Sequence, residues 1–452
     1  MKSTQVLAIL LIFVAARPIN AQQASSPSQA EAPLLTLEDA VSLAVKSNRL
    51  LKNSALESEK FDYRVSTARS RRLPIFQFNV LGGEMLHSFD FTFPAGSFGT
   101  FASTGPIPST EAKIHTPAQF TTYITGAFDQ PLTQLYKIGL GIRATELGRD
   151  IAREDVRATR QKLVAEVRSA YFDFLATQTG VDAARQAVVS LEEAQRVTVR
   201  YRAEQTVLKA DALEIDARLA KSHYDLSLAE DGLATQREHL NQLLGRDLNT
   251  SFRAEPIFQD DEQGLTLQKA RERASESRPE IRQAHLKEKQ AEYERRAAKA
   301  EYIPDLSLSV RYQGINNVNV LPQNVTTAGF FLSWEPFDWG RRRNNVAEKA
   351  KTVQQARNGA NETEAQIAVE VGAKYRKWQE AALLLKASRI GHEAAVEQLR
   401  VTTSRYGERA ALIRDLLQAQ AKNTESAFQY QQALSSYWSA LADLRRAMGD
   451  EK

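Results

Sequence analysis

The sequence predicts an α+β membrane protein, in which long antiparallel coiled-coil helices lead into four short membrane-crossing strands. Three observations predict it. Apolar and small residues step by alternating threes and fours over long stretches, strict apolar/polar alternation follows two prolines, and the first half of the chain matches the second at fixed offsets.

The N-terminus reads as an export signal. Lys2 supplies the positive start, Val6 to Ala16 is an apolar run, and Ile19-Asn20-Ala21 ends in the small residue a signal peptidase needs. A signal peptide over 1–21 is expected, followed by a loose arm from Gln22 to Pro33. The alternative is a buried N-terminal helix, since the run is too short to span a bilayer. Removing 1–21 takes the formal charge from +4 to +2, so the basic pI carries little meaning and no nucleic-acid partner is indicated. The chain contains no cysteine. Disulfides, thiol catalysis, Cys-based zinc sites and a lipid-modified cysteine are therefore excluded. No other run approaches the ~20 apolar residues of a membrane helix, so the exported protein is either soluble or a β-barrel.

The repeat sets the element plan. At an offset of 230, Leu35-Thr36-Leu37 matches Leu265-Thr266-Leu267, and Leu73-Pro74 matches Ile303-Pro304. At an offset of 204, Val167 and Tyr171 match Val371 and Tyr375, Phe174 matches Trp378, and Leu240 and Gly245 match Leu444 and Gly449. The difference is an insertion in the first half, Met85 to Gln119. Repeat 1 (22–245) is expected to hold a helix at 37–72, strands at about 75–84 and 119–130, and helices at 132–201 and 211–244. A polar linker, 246–264, follows. Repeat 2 (265–452) is expected to hold a helix at 266–302, strands at about 305–314 and 326–335, and helices at 337–406 and 414–448. A helix of ~70 residues spans ~105 Å. The two shorter helices of each half, stacked end to end, match that length. This predicts a helical cylinder with a seam at mid-height, where 246–264 would lie. Leu163, Val167, Ala170, Phe174, Thr177 and Val181 in one helix, and Leu434, Tyr437, Leu441, Leu444 and Met448 in another, keep one seam towards a partner.

The strands decide the membrane question. Leu306, Leu308, Val310 and Tyr312 alternate with Ser307, Ser309 and Arg311, the apolar-out, polar-in pattern of a lipid-facing barrel strand. Phe76, Phe78 and Val80 repeat it. The return strands end in Phe330, Leu332 and Trp334 before Pro336, and in Phe120, Thr122, Ile124 and Phe128 before Pro131. Their registers differ by one residue relative to the prolines, which leaves the outward face of 119–130 open; a β-bulge is one explanation. Pro74, Pro131, Pro304 and Pro336 mark the barrel–helix junctions, with Trp334 and Trp339 as interface aromatics. The alternative is a periplasmic sandwich with a dry core. Four strands cannot close, and open edges do not survive in lipid, so copies of the chain must combine. Two copies give eight strands and three give twelve; a cylinder wide enough for cargo favours twelve.

This order of signal peptide, two repeats, Pro-bounded hairpins and long helices resembles the TolC-like outer membrane factors, over nearly the whole mature chain. Glu335-Pro336-Phe337-Asp338-Trp339-Gly340-Arg341-Arg342 is similar to that family's strand-to-helix junction, and Leu35 to Ala40 and the turn at Arg405-Tyr406 fit as well. The resemblance implies a homotrimer with a 12-stranded transmembrane barrel and a long α-helical coiled-coil tunnel. It implies a passive outer-membrane conduit of an efflux pump or type I secretion system, joined to a periplasmic adaptor and an inner-membrane transporter, with no cofactor and no catalysis; the isolated His87 and His115 of the insertion point to no metal site. It places adaptor contacts at Glu204, Gln205, Thr206 and Val207 and at Glu408, Arg409, Ala410 and Ala411. The family usually has a glycine where Glu204 and Arg409 stand. It also aligns Asp415 with an acidic ring inside the periplasmic entrance and Gln418 with a second, here uncharged, ring. Asp415 reads equally as a helix cap. The rival readings are a periplasmic coiled-coil adaptor or a structural protein. Cargo is not legible.

Overall fold

The computed structural model describes residues 33–203, 208–256, 264–318, 321–408 and 410–450. The signal peptide expected over 1–21, the arm expected from Gln22 as far as residue 32, and residues 257–263 of the 246–264 linker lie outside the described residues.

Chain order is β1 (Leu34–Leu35), α1 (Leu37–Ser47), α2 (Arg49–Ser70), β2 (Ile75–Glu84), β3 (Phe89–Phe93), β4 (Thr100–Phe101), β5 (Gly105–Pro106), β6 (Ala112–Thr116), β7 (Phe120–Pro131), α3 (Gln134–Ala203) and α4 (Lys209–Leu244). It continues with β8 (Arg253–Ala254), α5 (Leu267–Ser277), α6 (Pro279–Ala300), β9 (Asp305–Asn316), β10 (Asn324–Ser333), α7 (Arg341–Gly407) and α8 (Ile413–Met448). Helix α3 has 70 residues and α7 has 67.

Helices α1–α2 and α4 lie along α3, and α5–α6 and α8 lie along α7; α3 also packs on α6 and α8, joining the halves. The single helices expected over 37–72 and 266–302 are each broken in two. At the first break Asn48 leaves helical backbone (ψ 130°) and its Oδ1 accepts from the N–H groups of Leu50 and Leu51. That satisfies donors a continuing helix leaves free at its start. At the second break Pro279 forces Arg278 into extended backbone and then serves as the first helical residue. Both break residues reach the end of the return helix beside them. Asn48 Nδ2 donates to the Leu243 carbonyl at 2.9 Å, and Arg278 Nη1 donates to the carbonyls of Arg446 and Ala447. The helix expected from 337 starts instead at Arg341, because Trp339 (φ 56°) and Gly340 (φ 88°) form a left-handed turn first.

The core is concentrated at this seam. Tyr171, Phe174, Leu240, Leu244, Phe252 and Leu441 are buried together, and Val371, Leu444 and Met448 form the adjoining cluster. Near the far end a small cluster of Leu191, Ile215 and Leu417 holds α3, α4 and α8. Between them the helices keep apolar side chains exposed, among them Leu228, Leu383, Leu384 and Ile390. This is a thin wall with little dry interior of its own.

The main sheet is four-stranded and antiparallel, in the order β10-β9-β7-β2, and β3–β6 and β4–β5 form two small pairs within the insertion. The β2–β7 ladder runs from Ile75↔Asp129 to Glu84↔Phe120 without a skipped residue, so no bulge shifts the register of this strand. The one-residue offset from the prolines has another cause. Pro131 is itself in β7, opposite Ser307, whereas β10 stops at Ser333, short of Pro336.

Candidate functional site: the sheet, its junctions and the helix tips

The registers place Phe76, Phe78 and Val80 of β2 beside Phe128, Gly126 and Ile124 of β7. Phe128 and Gly126 in turn face Val310 and Tyr312 of β9, and Leu308 and Leu306 face Phe330 and Leu332 of β10. All lie on one face, because side chains alternate with a period of two. This resolves the outward face of β7: it carries the even-numbered residues from Phe120 to Phe128. Phe76 and Phe330 are 72 % and 73 % exposed, so nothing among the described residues covers these parts of the face. Two glycines sit under aromatic rings: a Cβ on Gly82 would meet the Phe120 ring at 2.8 Å, and one on Gly314 would meet the Tyr312 hydroxyl at 2.9 Å. The Phe120 ring, reaching from β7, shields the Gly82 backbone across strands, whereas Tyr312 covers Gly314 within β9 itself.

The opposite face is mainly polar. Asn79 Nδ2 donates to Thr125 Oγ1 at 3.4 Å, Arg311 Nε donates to Ser309 Oγ at 3.2 Å, and Arg311 lies 3.9 Å from Asp129. Tyr123, Leu81 and Phe331 interrupt it. The sheet therefore offers one apolar and one hydrogen-bonded face, and its edges β2 and β10 have no strand partner among the described residues.

The junctions fix how strands meet helices. Thr133 Oγ1 donates to the Pro304 carbonyl (2.7 Å) and accepts from the Leu306 N–H (2.8 Å), bridging the starts of α3 and β9. Gln130 Nε2 donates to the Arg72 carbonyl beside Pro74. After Pro336, Asp338 accepts from the N–H groups of Gly340 and Arg342, and those bonds hold its carboxyl below the usual carboxylate range. This local cap sustains left-handed Trp339, a conformation that costs a non-glycine residue energy. Glu335 pairs with both Arg341 (2.6 Å) and Arg342 (3.1 Å). Trp339, stacked edge-on against Phe337 at 5.7 Å, is left 91 % exposed. Trp334 is also exposed, just past the end of β10.

At the tips, Glu204, Gln205, Thr206, Val207 and Arg409 lie outside the described residues. Glu408 caps α7 by donating its N–H to the Ser404 carbonyl, and Ala410 donates to the Arg405 carbonyl. Ala410 and Ala411 carry the chain to Leu412. Asp415 stands in the first turn of α8, and its Oδ2 accepts from the Leu412 N–H at 3.3 Å. The capping role is therefore realised. Asp415 and Gln418 are both exposed, one turn apart, while Leu417 between them turns inward. A link the sequence did not reveal lies close by: Arg218 of α4 pairs with Glu214 and donates to the Leu417 carbonyl of α8 at 3.3 Å.

The seam carries a second feature missed from sequence. The Tyr171 hydroxyl donates to the Leu35 carbonyl (2.8 Å) and accepts from the Glu255 N–H (3.0 Å), stitching α3 to the parallel β1–β8 pair. Gln178, two turns on, both accepts from and donates to the backbone of Ala254. Burial pushes the Tyr171 phenol up to about 12. Tyr375, matched to Tyr171 in the sequence, donates to the carbonyl of Leu265, matched to Leu35. No group of three or more His, Cys, Asp or Glu with metal-binding geometry occurs among the described residues.

Residues 270–450 match the family described as outer membrane efflux protein. No curated protein matches the chain. Among solved structures, the CmeC outer membrane channel of Campylobacter jejuni superposes with a TM-score of 0.74 at 17% identity, covering 91% of this chain and 85% of that one. A membrane protein from Pseudomonas aeruginosa gives 0.73 at 20% identity, covering 92% and 90%. The open state of the MtrE outer membrane channel of Neisseria gonorrhoeae gives 0.69 at 19% identity, covering 92% and 89%. At these identities the likeness is one of fold. The resemblance to TolC-like outer membrane factors is borne out by the family match together with the shared fold.

Proposed function

We propose that the chain is the outer-membrane channel of a tripartite efflux or secretion assembly, a passive conduit that acts as a homotrimer. One observation carries this reading most strongly: a four-stranded sheet with an exposed apolar face, a hydrogen-bonded polar face and two unpaired edges, mounted on the ends of helices ~100 Å long. Such edges need partners in lipid, and three copies supply twelve strands. The outer-membrane efflux family match over 270–450 and the channel folds of the solved relatives support it. Neither an adaptor nor a free coiled-coil protein accounts for that apolar face.

In this reading the polar face lines the pore, Trp339 and Trp334 sit at the periplasmic membrane interface, and the tips around Glu408 to Ala411 meet the adaptor. Three copies of Asp415 form one carboxylate ring at the entrance, with Gln418 as an uncharged second ring. A carboxylate ring favours cations. The cap bond uses Oδ2, and Oδ1 lies 3.9 Å from Arg414 Nε, a cation that softens the field of the ring. Fractionation tests the reading: the protein is expected in outer membranes, extractable only with detergent, and its recovery in a detergent-free osmotic-shock fluid would refute the proposal.

A further inference from the structure

The insertion between β2 and β7 is a built element that the conduit reading does not use. Strands β3 and β6 pair from Phe89↔Thr116 to Phe93↔Ala112. Phe89, Phe91, Phe93 and Ile114 therefore share one face, and Asp90, Thr92, Lys113 and His115 share the other. The apolar face continues on to the tip, where Phe98 packs on Phe93 at 5.1 Å. Phe89, Phe98 and Ile114 remain exposed. A two-stranded ribbon with no second layer is marginal in water, and an exposed apolar patch of this kind marks a contact surface.

Three observations choose the occupant. First, β2 is an edge strand, and the ribbon grows from its end, with Met85 still donating to the Gln119 carbonyl. In a closed barrel the strand beside β2 is β10 of a second copy. Antiparallel pairing brings the start of that β10, and the turn before it, level with the end of β2. That turn exposes Leu321, and Val325 is exposed at the start of β10 itself. Second, the ten residues of β2, at ~3.4 Å each and a tilt of ~40°, already cross the ~25 Å apolar band, so the ribbon stands beyond the hydrocarbon. Third, the insertion's one lysine, Lys113, is paired with Glu111 at 3.5 Å, and Asp90 with His115 at 2.6 Å. No unpaired lysine or arginine is left among the described residues of the insertion for an anionic lipid surface.

We propose that the Phe89–Phe91–Ile114 face of each hairpin docks on the rim of the neighbouring copy, at Leu321 before β10 and Val325 at its start, as an extracellular clasp between subunits. This rests on the trimeric channel reading.

The cysteine-free chain allows a direct test. Two chains carrying tags of different size are co-expressed, one with Phe91→Cys and the other with Leu321→Cys, and outer membranes are oxidised. A mixed disulfide dimer is expected, with Phe89→Cys giving the same product if Phe91→Cys fails to reach the membrane. Thr92→Cys, on the opposite face, is expected to give at least tenfold less. Equal cross-linking from Thr92→Cys, or none from either Phe variant in a protein that native mass spectrometry shows to be trimeric, would overturn the clasp alone. A monomeric protein would overturn both the clasp and the channel reading.

Discussion

Two residues carry the sharpest single-site predictions. Tyr171 is buried with its hydroxyl satisfied by two backbone groups, and its phenol is raised from 10.0 to about 12. A folded-state value above the unfolded one means the stabilisation is complete below pH ~10 and is lost as pH climbs through ~12, a change on the order of 2–3 kcal/mol. Tyr171→Phe is expected to cost ~1–3 kcal/mol at neutral pH and to remove that alkaline dependence, which urea melts at pH 8 and pH 11.5 measure. The sequence marked Tyr171 as a repeat position, yet its partners Leu35 and Glu255 are 136 and 84 residues away, so the bond itself was not legible. Asp415 is the second. Asp415→Ala removes the cap bond to Leu412, costing about 0.5–1 kcal/mol, and is expected to lower cation selectivity in reconstituted trimers. Reversal potentials in a salt gradient decide it: unchanged values leave Asp415 with the cap role only.

At the scale of elements, helix lengths and strand faces were legible because period and alternation are local signals. The breaks at Asn48 and Arg278 were not read, although Pro279 is a local signal and announces the second. The first depends on Asn48 gripping Leu243 across the stack. The seam also depends on glycine. Gly245 has φ +69°, and a Cβ there would stand 2.6 Å from the Ser47 carbonyl oxygen. Gly245→Ala is expected to destabilise by more than the ~1 kcal/mol of a left-handed alanine alone, read as a lowered melting temperature. The sheet's two faces should respond oppositely to charge. Phe78→Arg on the apolar face is expected to cost ~2–4 kcal/mol in bilayers, while Asn79→Arg on the polar face is tolerated. Folding titrations in lipid vesicles compare them, and equal costs would contradict the assigned faces. The register of β7 was ambiguous in sequence because Pro131 lies inside the strand and Pro336 lies beyond one.

For the whole molecule, the exposed face of the sheet, its free edges and the apolar side chains left open along α4 and α7 describe one part of an assembly. Closure in lipid makes that assembly compulsory for the proposed channel, and three copies is the number its twelve-strand barrel needs. What the sequence showed of the whole was order: repeat, strand, helix, turn. What it did not show was which apolar side chains stay exposed along α4 and α7, because those residues look like any other seam position until the helices are seen packed. Native mass spectrometry of the protein extracted from outer membranes tests this most directly. The account predicts a detergent-dependent complex of three mature chains; a monomer, or a species that leaves the cell without detergent, would contradict it.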